Sequence, residues 1–220
     1  WTGTGIINGS LGTFDPSIGQ GNYTLTYTYT DPVTNCINTD TKVITVHPLP
    51  TLNLGANNIV CIDNGAFNMS GYSPQGGIWS GTGITNVNAG TFDPSIGQGN
   101  YTLTYTYTDA NTCTNSISID VEVYALPELS ILDLEAQYCL EDASANLTGN
   151  PSGGTFSSSS SGISGNQFIP SIAGLGVHEI SYTYSDANGC ENVITESTEV
   201  TSMPELVVSN VVNPTCNGSD

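Results

Sequence analysis

The chain has no arginine, a single lysine (Lys42) and two histidines (His47 and His178), against 20 acidic residues, for a formal net charge of −19. Phosphate contacts dominate nucleic-acid affinity, and a chain without a cationic patch cannot make them. Docking on anionic lipid is disfavoured for the same reason. No run of 18 apolar residues exists, so no helix is expected to span a bilayer. The scarcity of histidine bears on catalysis, because a nucleophile–base pair would need a His fixed in the pattern described below. None of the six cysteines has CxxC spacing, which removes the commonest zinc signature. No catalytic residue and no metal ligand set is therefore expected. The excess negative charge favours solubility and repulsion between neighbouring chains.

What the sequence does contain is a repeat. The nineteen residues TFDPSIGQGNYTLTYTYTD occur unchanged at Thr13–Asp31 and Thr91–Asp109. Within the second copy Tyr101, Leu103, Tyr105 and Tyr107 alternate with Thr102, Thr104, Thr106 and Thr108. A period of two sends the apolar set to one face of a strand and the threonines to the other. A diverged third copy, HEISYTYSD at His178–Asp186, keeps Ile180, Tyr182 and Tyr184 on the same parity. Each copy predicts a strand about 30 Å long. Pro50, Pro127 and Pro204 are 77 residues apart, and so are Cys36, Cys113 and Cys190. The expected organisation is the C-terminal part of a module (1–47), complete modules at 48–124 and 125–202, and the start of another at 203–220.

Each module begins after a short joint containing proline, which is stiff and leaves successive modules little slack, so an extended rod is expected. The aromatic residue before each glycine-rich loop (Trp1, Trp79, Phe156) reads chiefly as a core anchor. Trp79 is also the one candidate for contact with a ligand. Phe-Asp-Pro-Ser at Phe14–Ser17 and Phe92–Ser95 predicts a turn started by the aspartate, with Pro presetting φ. The third copy has Ile169 at that place, so Asp15 and Asp93 read as turn residues rather than acids of a site. Cys113–Tyr124 is the returning strand, with Ile117, Ile119, Val121 and Val123 facing inward. Leu132–Asp142 has helical propensity, but its counterpart Leu54–Asp63 does not, so both are expected to be extended. The serine run Ser157–Ser161 reads as a solvated loop.

Short strands with turn signals at close intervals and no convincing helix predict an all-β chain of tandem immunoglobulin-like β-sandwich modules. Modules of 77 residues bury little surface, so a covalent staple is expected. Cys61, Cys139 and Cys216 each follow a joint proline by 11 or 12 residues, while Cys36, Cys113 and Cys190 each follow the hairpin turn. One of each kind must pair, within a module or across a joint. Bridging within a module closes about 50 residues, worth roughly 4 kcal/mol by loop-closure entropy, against about 25 residues across the joint. The expectation is Cys61–Cys113 and Cys139–Cys190, with Cys36 and Cys216 bonded to partners outside the 220 residues.

An acidic extracellular chain leaves room for calcium at its joints. No DxDxDG loop is present, however, and Glu128 and Glu205 read as solvated joint acids, so no cofactor is expected.

The pattern WSGTG…TFDPSIGQGNYTLTYTYTDANTC resembles the immunoglobulin-like (PKD-like) tandem repeats of giant surface proteins of Bacteroidetes bacteria. The closing NPTCNGSD, Asn213–Asp220, resembles the opening of the repeat named after SprB, the mobile adhesin of gliding bacteria. The resemblance implies a stalk segment of a secreted filament at the bacterial cell surface. It further implies export by the type 9 system, use in adhesion or gliding, and no catalytic residues. Partners would be surface polysaccharide or other cell surfaces, met through parts of the chain outside this sequence, with side-by-side bundling of like chains. The competing expectation is an array of carbohydrate-binding modules on a secreted polysaccharide-degrading protein. Such an array should expose aromatic rings that a stalk would bury.

Overall fold

A computed structural model describes residues 1–56 and 58–207 of the chain. The protein is built almost wholly of strands and divides into two compact units between Val123 and Tyr124. At the start of the first unit lie β1 (Ile6–Asn8), β2 (Thr13–Phe14) and a hairpin of β3 (Gly21–Thr30) and β4 (Ile37–Val46).

Then follow β5 (Asn58–Cys61), β6 (Phe67–Asn68), β7 (Ile78–Ser80), β8 (Ile84–Asn86), β9 (Thr91–Phe92), β10 (Gly99–Thr108) and β11 (Thr114–Tyr124). They form a four-stranded sheet in the order β5-β11-β10-β7 and a three-stranded sheet β6-β9-β8. The spine is the antiparallel β10–β11 ladder, in register from Gly99↔Val123 to Thr108↔Thr114. Its inner face carries the alternation read from the sequence, with Leu103, Tyr105, Ile119, Val121 and Val123 buried. From the facing sheet Phe92 is buried too and Phe67 packs beside it, so the two sheets close a sandwich.

The second unit repeats the plan. Its strands are β12 (Ser130–Leu132), β13 (Gln137–Cys139), β14 (Ala145–Asn146), β15 (Thr148–Asn150), β16 (Thr155–Ser158), β17 (Ile163–Ser164), β18 (Gln167–Phe168), β19 (Gly176–Ser185) and β20 (Glu191–Thr201). The four-stranded sheet is β13-β20-β19-β16, the three-stranded sheet is β14-β18-β17, and β12 pairs with β15. Ile180, Tyr182, Leu147, Phe168 and Val200 fill the core. Leu132–Asp142 is extended with bends and contains β13, so repeat logic outweighed local propensity there. The serine run departs from expectation. Ser157 and Ser158 extend β16 and pair with Ser181 and Ile180 of β19, and the loop begins only after them. The reason is register: the sheet carries Phe156 opposite Tyr182, and two further residues ride along the same ladder.

The Phe-Asp-Pro-Ser stretch forms a single turn of 3-10 helix in two copies, Pro16–Ile18 and Pro94–Ile96. Asp15 and Asp93 cap these turns by accepting the N–H of Ser17 and Ser95. In the third copy Ile169 offers no cap, and the turn is the four-residue helix α1 (Pro170–Ala173). Proline at the first helical position supplies its fixed φ in all three. The aspartate is thus a turn device, as its absence from the third copy suggested.

Candidate functional site

Trp79, the residue expected to be able to contact a ligand, is fully buried at 0 % exposure. It stands on β7 opposite Tyr105, with ring centroids 5.0 Å apart. Tyr72 meets it edge-on at 5.3 Å and 89°. Tyr105 is tied down in turn, donating to the Pro74 carbonyl at 2.6 Å and accepting the Gly77 N–H at 2.7 Å. The ligand-contact expectation for Trp79 is therefore corrected, because the ring lies inside a cage of two tyrosines and holds the core together. Its Nε1–H has no hydrogen-bond partner, a cost this packing must absorb.

The disulfide expectation is also corrected. Cys113 and Cys139 are free thiols, whereas Cys61 and Cys190 are disulfide-bonded, so neither Cys61–Cys113 nor Cys139–Cys190 forms. The reason lies in the topology of each module. β13 runs parallel to β20 with Cys139 opposite Thr201, while Cys190 immediately precedes β20 at its other end. Eleven residues of strand separate the two, about 35 Å at 3.3 Å per residue. A disulfide requires Cα atoms within roughly 7 Å. In the neighbouring module β5, ending at Cys61, likewise lies beside β11, while Cys113 precedes the start of β11. In the second unit the two cysteines thus mark opposite ends of the returning strand and cannot reach each other. Cys36 is an exposed free thiol, and Cys216 lies outside the described residues.

His47 is exposed, and His178 is buried at 6 %. The His178 Nε2–H donates to the Gly174 carbonyl at 2.8 Å, which leaves Nδ1 to accept the Ser160 hydroxyl at 2.9 Å. In the other module the Tyr101 hydroxyl donates to the matching carbonyl of Gly97 at 3.0 Å. His178 thus replaces a tyrosine's structural hydrogen bond rather than adding a base. Among the described residues no three His, Cys, Asp or Glu side chains gather into a cluster able to hold a metal. Asp31 and Asp186 serve their hairpin turns. Backbone N–H groups of Thr34 and Val33 hold the Asp31 carboxyl below the usual carboxylate range, and that of Cys190, chiefly, does so for Asp186.

A concave site exists, and the sequence reading missed it. In the second unit a cleft of about 560 Å³ opens beside Phe156 and Tyr182. Leu147 and Ile163 complete its apolar wall, and Thr148, Ser152, Thr155 and Asn166 line it with polar groups, with no charged side chain among them. The ring of Phe156 lies 4.7 Å from that of Tyr182 and is half-buried. One signal could have revealed it: YSPQGGIW (Tyr72–Trp79) aligns with NPSGGTF (Asn150–Phe156) one residue short, with Phe in place of Trp.

No protein-family model and no curated protein matches the chain. Solved structures resemble it weakly. One is described as a Ca2+-stabilized adhesin that helps an Antarctic bacterium reach out and bind ice, at 12% identity and TM-score 0.36, covering 83% of this chain. The chain spans 57% of that structure's length. Mouse protocadherin-24 EC1-3 matches at 10% identity and TM-score 0.32, over 86% of this chain and 82% of the other. Mouse cadherin-23 EC22-24 matches at 12% identity and TM-score 0.28, over 86% and 76%. The class that the fold itself defines is a tandem array of immunoglobulin-like β-sandwich modules.

Proposed function

We propose that the chain is a tension-bearing stalk segment of a long bacterial surface adhesin. The observation that carries this reading is the parallel pairing of β13 with the last strand of its module, Gln137↔Glu199 to Cys139↔Thr201. Force pulling the two ends of a module apart drives two parallel strands past each other along their axes. Their hydrogen bonds then share the load at once, where an antiparallel pair pulled from its open end would unzip bond by bond. Cores assembled twice from a repeated strand, with Trp79 and Tyr105 fully buried, also suit a spacer. The resemblance to giant Bacteroidetes repeat proteins adds the finer proposals. These are a cell-surface location, export by the type 9 system, a part in adhesion or gliding, and bundling with like chains. Partners such as surface polysaccharide would be met elsewhere on the parent protein. Among the described residues no helix is long and apolar enough to cross a membrane.

Single-molecule pulling on the 220-residue chain under reducing conditions tests the mechanical reading. The expected trace shows a separate rupture for each complete module. Each rupture should release about 250 Å of chain, from 77 residues at ~3.3 Å each. Smooth extension without resolved ruptures would overturn it.

A further inference from the structure

We infer that the cleft of the second unit is a binding site for a short uncharged saccharide. This goes beyond the stalk reading and stands or falls separately from it. The comparison between modules carries the inference. The tyrosine clamp is the same in both: Tyr182 donates to the Pro151 carbonyl and accepts the Gly154 N–H, as Tyr105 does with Pro74 and Gly77. Leu147 takes the Asn166 carbonyl as Met69 takes that of Gly90, which aligns those two residues. Four residues lie between Met69 and Pro74 but three between Leu147 and Pro151, and the position lost is that of Tyr72. Trp79 is replaced by Phe156 at the same register position. One aromatic ring is thereby lost and a second is reduced from indole to phenyl at the same place, and the frame around them stays put. What packs as core in module 48–124 stands open in module 125–202.

The chemistry of the lining selects the ligand. Its volume of about 560 Å³ falls within the roughly 300–1,000 Å³ range of small-molecule sites. The half-buried Phe156 ring offers a flat apolar face of the kind that the C–H face of a sugar ring covers. Asn166, Thr148 and Ser152 place neutral donors and acceptors around it, suited to hydroxyl groups. No charged side chain lines the cleft, and the −19 net charge of the chain repels anions. A purely apolar ligand would leave those polar groups unpaired.

The test is a titration of the isotope-labelled 220-residue chain, followed by amide NMR shifts, with maltose, cellobiose, mannobiose, lactose and chitobiose. At least one should bind with a Kd of about 1 mM or tighter. Shifts should centre on Gly153, Phe156 and Asn166, with none at Gly76, Trp79 or Gly90. A variant that refills the cleft, Phe156→Trp with a Tyr inserted between Gly149 and Asn150, should bind at least tenfold more weakly. Asn166→Ala, at an exposed position, should do the same and decides the matter if the refilled variant does not fold. Absence of shifts with all five sugars would overturn the inference, as would unchanged binding in the folded variants. Equal binding of glucuronic acid would overturn the uncharged class.

Discussion

Replacing Trp79 by alanine should destabilise the sandwich around it severely while leaving the second unit folded. The indole is fully buried and touches Tyr72 and Tyr105 at centroid distances of 5.3 and 5.0 Å. Truncating a buried Trp to Ala costs about 3–5 kcal/mol through lost burial and the cavity left behind. One correction lowers the figure. The Nε1–H has no partner, so its removal relieves the desolvation of a buried donor, about 1–3 kcal/mol. The expected loss is therefore about 2–3 kcal/mol, at or just below the lower end of that range. A module of this size holds about 4–12 kcal/mol in total, at 0.05–0.15 kcal/mol per residue. Urea unfolding followed by resolved amide signals reads the two modules separately, with Tyr182 and its neighbours as the internal control. Trp79→Phe, which copies the residue at Phe156, should fall between wild type and Trp79→Ala. A loss below about 1 kcal/mol for Trp79→Ala, in a folded module, would refute the cage and restore Trp79 as a candidate contact residue.

Tyr105→Phe and Tyr182→Phe should each lower the stability of their own module by about 1–3 kcal/mol, read from urea midpoints, because each strands a buried N–H and a carbonyl. Gly77→Ala should lower stability by about 1–3 kcal/mol by the same measurement, since a Cβ would lie 2.5 Å from the Thr106 carbonyl oxygen and from the Tyr105 ring. Alkylation of the folded chain followed by peptide mass spectrometry should label Cys36 without reductant, and Cys113 and Cys139 on partial unfolding, whereas Cys61 and Cys190 should require reduction. The carboxyls of Asp15, Asp31, Asp93 and Asp186 titrate below their ordinary value, so their contribution is present above the unfolded pKa of about 3.9 and is lost as pH falls through the lower folded values. Urea midpoints should accordingly hold from pH 7 to about 5 and fall below about 4, with a smaller fall in Asp186→Ala.

The strands were legible because a period of two is a local property. Tyr101, Leu103 and Tyr105 alternate with threonines, and Ile119, Val121 and Val123 alternate with polar residues, so the inner face could be named before the fold was seen. The turn role of Asp93 was legible from Ile169 in its place. The disulfides were not, because pairing depends on which end of a 35 Å strand each cysteine occupies, and loop-closure entropy is blind to that distance. Entropy favoured the longer loop, and geometry forbade it. The cleft escaped notice for a different reason. Its signal is one missing residue and one Trp-to-Phe exchange, which leave composition and periodicity untouched. Only once Tyr105 and Tyr182 are seen in matching clamps does the missing ring acquire a place.

The two identical nineteen-residue copies show what the strand decides by itself. Thr13–Asp31 and Thr91–Asp109 adopt the same local structure, a capped 3-10 turn followed by a ten-residue strand. The ring pairing is repeated too, with Trp1 at 5.0 Å from Tyr27 and Trp79 at 5.0 Å from Tyr105. The clamp tyrosines Tyr105 and Tyr182 then share one frame, whatever covers it. The short segment before the clamp proline sets the outcome: with Tyr72 present the core is closed, and without it a cleft remains. A cleft of this kind is then opened or closed in one sandwich by changes of a few residues, while the long antiparallel ladders, Gly99–Thr108 with Thr114–Val123 and Gly176–Ser185 with Glu191–Val200, keep their register.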